Sequence, residues 1–205
     1  MRAVTVLEAS GERRLGIERH VAPTPAPDEV TVAVQAISLN NGEIREALAA
    51  RAGHRPGWDF AGVVEAAPYG SDFAVGDRVV GLKFEGAWAE RIAVRPSFLA
   101  QIPDTVSFEA AAVLPVAGMT AAIALSKKSL TFGDRVFVTA ATGGVGLIAI
   151  QLAAATGAHV TAYLRSETDA ALLRRLPVHA IAIAIGDSEA ERCGPYDLIM
   201  EGVGG

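Results

Sequence analysis

The sequence predicts an α/β chain of two domains, a mainly antiparallel β domain over residues 1–107 and part of a doubly wound parallel sheet over residues 108–205. Three observations carry this reading. Up to about residue 107, short β-rich runs alternate with Gly/Pro punctuation. From Phe108 the texture becomes alanine-rich and then alternates continuous apolar strands with helices, as in a parallel sheet covered on both faces. Between the first of those strands and its helix stands a glycine turn, "TAATGGVG", Thr139 to Gly146.

The elements follow in order. "AVTVL" is a strand and "PTPAPDE" a loop, and "VTVAVQAISL", "FAGVVEA", "DRVVGL" and "WAERIAV" are further strands. Within "NNGEIREALAA", Asn40 or Asn41 can cap a short helix whose first turn holds Glu43 and Glu46, acids that suit its positive end. "FEAAAVLPVAGMTAAIALSKK" reads as helix, with Pro115 starting a second segment and Lys127 and Lys128 at its C-terminal end. Then come "DRVFVTA", the glycine turn, "VGLIAIQLAAATG", "HVTAYL", "ETDAALLRRL", "AIAIAI" and "YDLIM": β-α-β-α-β and a further strand. Gly-Asp-Arg-Val occurs at Gly76 and again at Gly133, with unrelated flanks. These are two independent turn-into-strand signals and no internal repeat.

Composition excludes several classes of function. Half of the residues are apolar, enough for a proper core. A net charge of −5, with no lysine or arginine run, speaks against nucleic acid or an anionic membrane as partner. The single cysteine, Cys193, forms no internal disulfide, no zinc lobe and no redox pair, which suits a reducing cytoplasm. The N-terminus carries charge at Arg2 and Glu8 and lacks a signal-peptide core. Val136 to Leu164 holds no charged residue, yet its glycines, threonines, Gln151 and His159 break what a bilayer helix would need. A cytoplasmic chain without a membrane partner is expected.

In the glycine turn, Ala141, Gly143 and Gly146 fall at G-x-G-x-x-G spacing, with alanine in first position. The turn of a dinucleotide fold needs such small residues so that the backbone can approach the pyrophosphate while helix N–H groups point at it. Thr142, Gly144 and Val145 complete the cradle. Glycines used only for tight packing are the competing explanation, and the strand before and the helix after favour the nucleotide. At the end of the second strand an acid would favour NAD, whereas arginine or serine accommodates a 2′-phosphate. Arg165 and Ser166 stand there, so NADP(H) is the expected cofactor. The counter-reading has Glu167 reach back to the ribose and leaves Arg165 as a surface charge.

"TAATGGVGLIAIQLAAATGA", preceded by "LPVAGMTA" and "GDRVFV" and followed by "DLIMEGVGG", resembles the medium-chain dehydrogenase/reductase superfamily. Within it the chain is most similar to the zinc-free quinone oxidoreductase (zeta-crystallin-like) and enoyl-reductase branch. "SLNNGEIREA", "GWDFAGVVE" and "FAVGDRVVGL" match the family's N-terminal, GroES-like domain, so the likeness runs over essentially the whole chain. The resemblance implies a GroES-like domain followed by a partial Rossmann domain with strands one to four. It also implies hydride transfer from NADPH to a quinone or α,β-unsaturated carbonyl, whose own structure supplies the electron sink. By the same resemblance Asn40, in the "LN" segment, lies near the nicotinamide, and Thr120, in the "GxTA" segment, faces the cofactor, as does Gly202 in "EGVGG". Plain helix capping by Asn40 and plain packing by Thr120 remain open alternatives.

Two departures matter. Zinc-dependent relatives bind metal through a cysteine and the histidine of Gly-His-Glu-x-x-Gly; here "SLNNGE" has no cysteine and Trp58 stands in the histidine's place. An indole cannot ligate zinc and His54 cannot replace the set, so no metal is expected. Enoyl-reductase relatives often carry a tyrosine just after the asparagine as proton donor, whereas Asn41 and Gly42 stand here and the tyrosines are Tyr69, Tyr163 and Tyr196. No general acid is identified, and Asp59 is assigned to holding the "GWDFAG" turn. A non-catalytic NADP(H)-binding sensor or partner subunit is therefore the alternative function.

Family members are substantially longer. A fourth strand at the edge would be an aggregation liability unless covered, so either a missing C-terminal segment or a second copy, as a homodimer, is expected to cover it. Trp88 is either an aromatic wall of the substrate pocket or ordinary core.

Overall fold

The computed structural model describes residues 1–178 and 181–203. Ala180 of "AIAIAI" and Gly204 and Gly205 of "GVGG" lie outside the described residues. The chain forms two compact units, Met1–Val116 and Ala117–Gly205.

The first unit opens with a hairpin. Strands β1 (Arg2–Ala9) and β2 (Glu12–Arg19) pair in register from Arg2↔Arg19 to Ala9↔Glu12. Ser10 and Gly11 both take positive φ at its tip (56° and 81°), the tight mirror-image turn that matches strand twist. Strands β3 (Val30–Ile37), β4 (Asp59–Ala66), β5 (Arg78–Leu82), β6 (Arg91–Val94) and β7 (Leu99–Gln101) form an antiparallel sheet ordered β6-β3-β4-β5-β7. Alternating residues of these strands, including Val30, Val32, Phe60, Val64, Val79 and Ile92, build its buried core. Helix α1 (Asn41–Ala49) connects β3 to β4. Helix α2 (Phe108–Ala112), capped by Ser107 Oγ accepting from the Ala110 N–H at 3.1 Å, packs on β3, β4 and β5. That packing places it with the first unit, although its alanine-rich texture resembles that of the second.

Pro115 behaves differently from the helix start expected of it. It lies inside a π-helical turn, Leu114–Gly118, and regular helix α3 begins only at Met119 and runs to Leu125. Proline has no N–H to complete an α-helical bond, and a wider turn accommodates that loss.

In the second unit, strands β8 (Arg135–Val138), β9 (His159–Leu164), β10 (Ile181–Ile185) and β11 (Leu198–Met200) form a parallel sheet ordered β10-β9-β8-β11. This is the 3-2-1-4 order of a Rossmann fold. Helix α4 (Gly144–Ala155) covers β8 and β9, and Ala149, Ile150 and Ala153 meet Val136, Val138, Val160 and Ala162 in the core. The expected helix in "ETDAALLRRL" contracts to a 3-10 turn, Glu167–Asp169, and a short α5, Ala170–Leu173. Helix α6 (Asp187–Cys193) was not legible in the sequence, because Ala190 is its only buried residue and no apolar period marks it. Its signal was local: Gly186 at φ 77°, then Asp187 and Glu189 in the first turn. Strand β11 forms the sheet's edge and leaves Ile199 61% exposed.

The two Gly-Asp-Arg-Val segments are the same device used twice. Gly76 and Gly133 take positive φ, and the following Asp77 and Asp134 accept the N–H of Ala74 (2.8 Å) and Thr131 (2.7 Å) before β5 and β8 begin.

Candidate nucleotide site and buried carboxylate cluster

At the carboxyl end of β8 the chain turns through Thr139, Ala140 and Ala141. Ala140 takes positive φ (48°), and its carbonyl accepts the Gly143 N–H at 2.9 Å. Gly146, in the first turn of α4, packs directly on this backbone: a Cβ there would lie 2.3 Å from the Ala140 oxygen. A Cβ at Gly143 would lie 3.3 Å from the same oxygen, whereas at Gly144 it would make ordinary contact with Ala117. Gly146 is therefore required by packing, and Gly143 and Gly144 remain exposed at the helix mouth. No side chain caps α4 and no acid stands in its first turn, so N–H groups around Gly144 and Val145 point outward with a positive helix end behind them. Ala141 is buried beneath the turn and Thr142 is half-buried at its crest.

Thr139, which the sequence reading did not single out, joins this turn to β11. Its N–H donates to the Met200 carbonyl at 3.0 Å, its hydroxyl donates to Glu201 Oε1 at 3.1 Å, and its Oγ1 accepts the Gly202 N–H at 2.8 Å. Gly202 thereby comes to rest beside Ala140, where an added Cβ would lie 3.4 Å from the alanine's. A threonine closing a strand just before a glycine turn is the signal that could have found it.

Arg165 and Ser166 leave β9 at the same carboxyl edge, since β9 runs parallel to β8 beside it. Both are exposed. Arg165 makes no hydrogen bond or salt bridge among the described residues, whereas Glu167 pairs with Arg174 at 2.5 Å. The acid offered as a ribose ligand is thus engaged with a neighbour, and the arginine is available. Thr120 is exposed on α3, a helix that packs against α4. Glycine turn, Gly202 and the Arg165–Ser166 pair are brought to one edge of the sheet, next to the β8/β11 switch in strand order.

Asn40 belongs to the first unit. It caps α1 in a capping-box arrangement with Glu43, whose Oε2 accepts the Asn40 N–H at 3.0 Å. Its Nδ2 lies 2.9 Å from Asp59 Oδ2 and 3.3 Å from Glu43 Oε2. Both amide hydrogens are therefore directed at carboxylates, and Oδ1 faces the Glu43 N–H, the other half of the capping box. Asp59, fully buried, also accepts the Ser38 hydroxyl at 2.7 Å and the Val116 N–H at 3.1 Å. Glu43, 2% exposed, accepts the Trp58 N–H as well. Burial pushes the Glu43 carboxyl above its usual range and the Asp59 charge adds to this, while hydrogen bonds from Asn40 and Trp58 oppose it. Sequence reasoning placed Glu43 in the first turn of the helix; the fold turns its side chain inward.

Trp58, half-buried, lies over Gly42, and Trp88 is core: 3% exposed, with Nε1–H donating to the Ser38 carbonyl at 3.0 Å. Of the tyrosines, Tyr163 donates to Asp187 Oδ1 at 2.8 Å, Tyr196 donates to the Ala190 carbonyl at 2.5 Å, and Tyr69 is fully exposed. Among the described residues, no three His, Cys, Asp or Glu side chains are grouped to hold a metal ion, and no helix is long and apolar enough to cross a membrane.

Known proteins are similar over these same features. The model of the alcohol dehydrogenase GroES-like domain matches residues 26–104. The quinone oxidoreductase from Thermus thermophilus, whose structure was also solved in complex with NADPH, is 30% identical, with a TM-score of 0.81 over 100% of this chain and 68% of its own. The CurK enoyl reductase is 25% identical, with a TM-score of 0.78 over 98% of this chain and 68% of its own. A mycocerosic acid synthase-like polyketide synthase from Mycobacterium tuberculosis is 35% identical over 164 residues, 77% of this chain, and the chain spans 8% of that curated relative's length.

Proposed function

The chain belongs to the medium-chain dehydrogenase/reductase superfamily, and on that premise we propose that it serves NADPH-dependent, zinc-independent hydride transfer to a quinone or an α,β-unsaturated carbonyl. The observation that carries the cofactor is the uncapped start of α4 behind a turn in which Gly146 tolerates no Cβ. When bound, a reduced nicotinamide supplies the hydride. Ala141 to Gly146 are assigned to the pyrophosphate, Gly202 and Thr120 to the cofactor's flanks, and Arg165 with Ser166 to the 2′-phosphate, which the uncommitted guanidinium suits.

Asn40 is near the reacting ring by family resemblance, with Glu43 and Asp59 as its positioning residues. The quinone oxidoreductase and the enoyl reductase among the relatives correspond to the two acceptor classes. A cytoplasmic location and a homodimer belong to the same reading.

Parallel titration of the folded chain with NADPH and NADH tests the cofactor, and NADPH oxidation with a panel of quinones and enones tests the reaction. Preference for NADH, or no turnover with any acceptor in a cofactor-binding protein, defeats the respective part. One observation favours the second reading, a non-catalytic NADP(H)-binding sensor or partner subunit: Tyr163 and Tyr196 are tied within their own unit and Tyr69 projects into solvent, so no tyrosine is poised as proton donor. Tight NADPH binding without turnover, together with a stable partner complex, is its signature.

A further inference from the structure

We propose that the first unit carries an oxyanion site, a cavity of about 430 Å³ lined by Arg51, His54, Arg55 and Lys83, that binds a phosphate-class dianion. Arg55 Nε is buried and has no hydrogen-bond partner among the described residues. A buried donor on a charged group left unpaired is costly, and folded proteins seldom leave one without a partner. Arg51 and Lys83 likewise make no hydrogen bond or salt bridge through their side chains among the described residues. The other cation of the cavity, Arg91, is already bound to Glu65 at 2.7 Å.

The acids on the lining, Glu29 and Glu85, form no salt bridge with the three among the described residues. Glu29 Oε2 accepts the Ala26 N–H at 2.9 Å, and Glu85 stands 4.0 Å from His54 with its side chain 75% exposed. Two guanidinium groups and an ammonium thus line one cavity, and among the described residues none of the three is paired with the acids beside them. Planar guanidinium forks and a point ammonium together suit a tetrahedral oxyanion with several acceptor oxygens.

The site is built on fixed backbone. Gly53 N–H donates to the Val6 carbonyl and Val6 N–H donates to the His54 carbonyl, each at 2.8 Å, locking one wall to β1. Lys83 N–H donates to the Trp58 carbonyl at 2.8 Å and Ala87 N–H to the Gly57 carbonyl at 3.0 Å, locking the two walls together. Gly57, at φ 120°, admits this closeness, because a Cβ there would lie 2.2 Å from the Trp88 nitrogen. The backbones of Arg55 and Lys83 are therefore already fixed, and binding has only their side chains left to order. The cavity lies wholly within the first unit and the inference does not depend on the nucleotide reading.

The test tracks the Arg55 Nε–H resonance by nitrogen-15 NMR, at ionic strength held constant with chloride, while inorganic phosphate or phenyl phosphate is added. We expect saturable movement with both probes and affinity about tenfold weaker in Lys83→Gln, the size of one charge-assisted hydrogen bond. Tighter binding of phenyl phosphate identifies an organic phosphomonoester as the ligand, and equal binding identifies free phosphate. In Arg55→Lys, which keeps charge but loses both the fork and the reporting Nε–H, binding is followed by isothermal calorimetry and is expected to be weaker while NADPH titration stays unchanged. The proposal is overturned by a resonance that does not saturate, by movement that chloride reproduces, or by both variants binding the probes as the parent chain does.

Discussion

Gly146 and Ala140 touch through backbone: a Cβ on the glycine would stand 2.3 Å from the alanine's carbonyl oxygen. That oxygen also accepts the Gly143 N–H, so it cannot retreat without opening the turn. Gly146→Ala is therefore expected to destabilise the second unit by about 1–3 kcal/mol, as overpacking does. Urea unfolding measures the loss. NADPH binding should weaken with it, because the first turn of α4 must tilt away.

On the proposed reading of the site, Arg165 sets cofactor preference. Arg165→Glu should weaken NADPH binding at least ~10-fold, the loss of a charge-assisted contact, and leave NADH within ~2-fold. Parallel fluorescence titrations would detect this. Equal weakening of both cofactors would assign Arg165 to the pyrophosphate or to fold stability, and the 2′-phosphate role would fall.

Asn40 bridges two buried carboxylates, so its removal should be felt as lost stability even without substrate. Asn40→Leu withdraws two donors at once, while Ser38 and the backbone N–H of residue 40 still reach the two carboxylates, and is expected to cost about 1–3 kcal/mol. Asn40→Asp should be worse at neutral pH and partly recovered on acidification, which protonates a carboxylate and relieves repulsion. If both variants unfold at the parent's denaturant midpoint, the cluster is not a structural unit.

Glu43 predicts a pH dependence with a definite sign. Its carboxyl titrates above the unfolded value because burial disfavours the charge. Its protonation-linked contribution is thus fully present below the unfolded pKa and is lost as pH rises through the folded one. The difference in stability between the parent chain and Glu43→Gln, followed by urea unfolding from acid to neutral pH, should fall across that window and then level. A difference that grows with pH would mean that the Asn40 and Trp58 hydrogen bonds outweigh burial.

Thr139 ties β8 to the loop after β11 through one hydroxyl that donates to Glu201 and accepts from Gly202. Thr139→Val keeps shape and should cost about 1 kcal/mol. Faster amide exchange at Gly202, with protection of β8 and β9 retained, is the specific sign.

Periodicity and turn chemistry alone determined much of this protein. Strands β1, β3 to β6 and β8 to β11, a cap at Asn40 or Asn41, the two Gly-Asp-Arg-Val turns and the β-glycine turn-α unit are local, because each depends on spacing along a few consecutive residues, whereas the polar β2 and the three-residue β7 carry no such pattern. α6 and the π-helical turn at Pro115 were not legible, the first for want of apolar period and the second because the proline's lost hydrogen bond has two solutions, a fresh start or a wider turn. What only tertiary structure decided is which side chains meet. Glu43 and Asp59 are sixteen residues apart, and nothing local says that β4 brings both carboxylates to one amide and buries them. Arg55 and Lys83 likewise converge only because β1 and the chain around Lys83 to Trp88 clamp the segment between them. Such encounters arise from long-range strand pairing, whose partners are chosen by the burial of the whole sheet and not by any residue's neighbours in sequence.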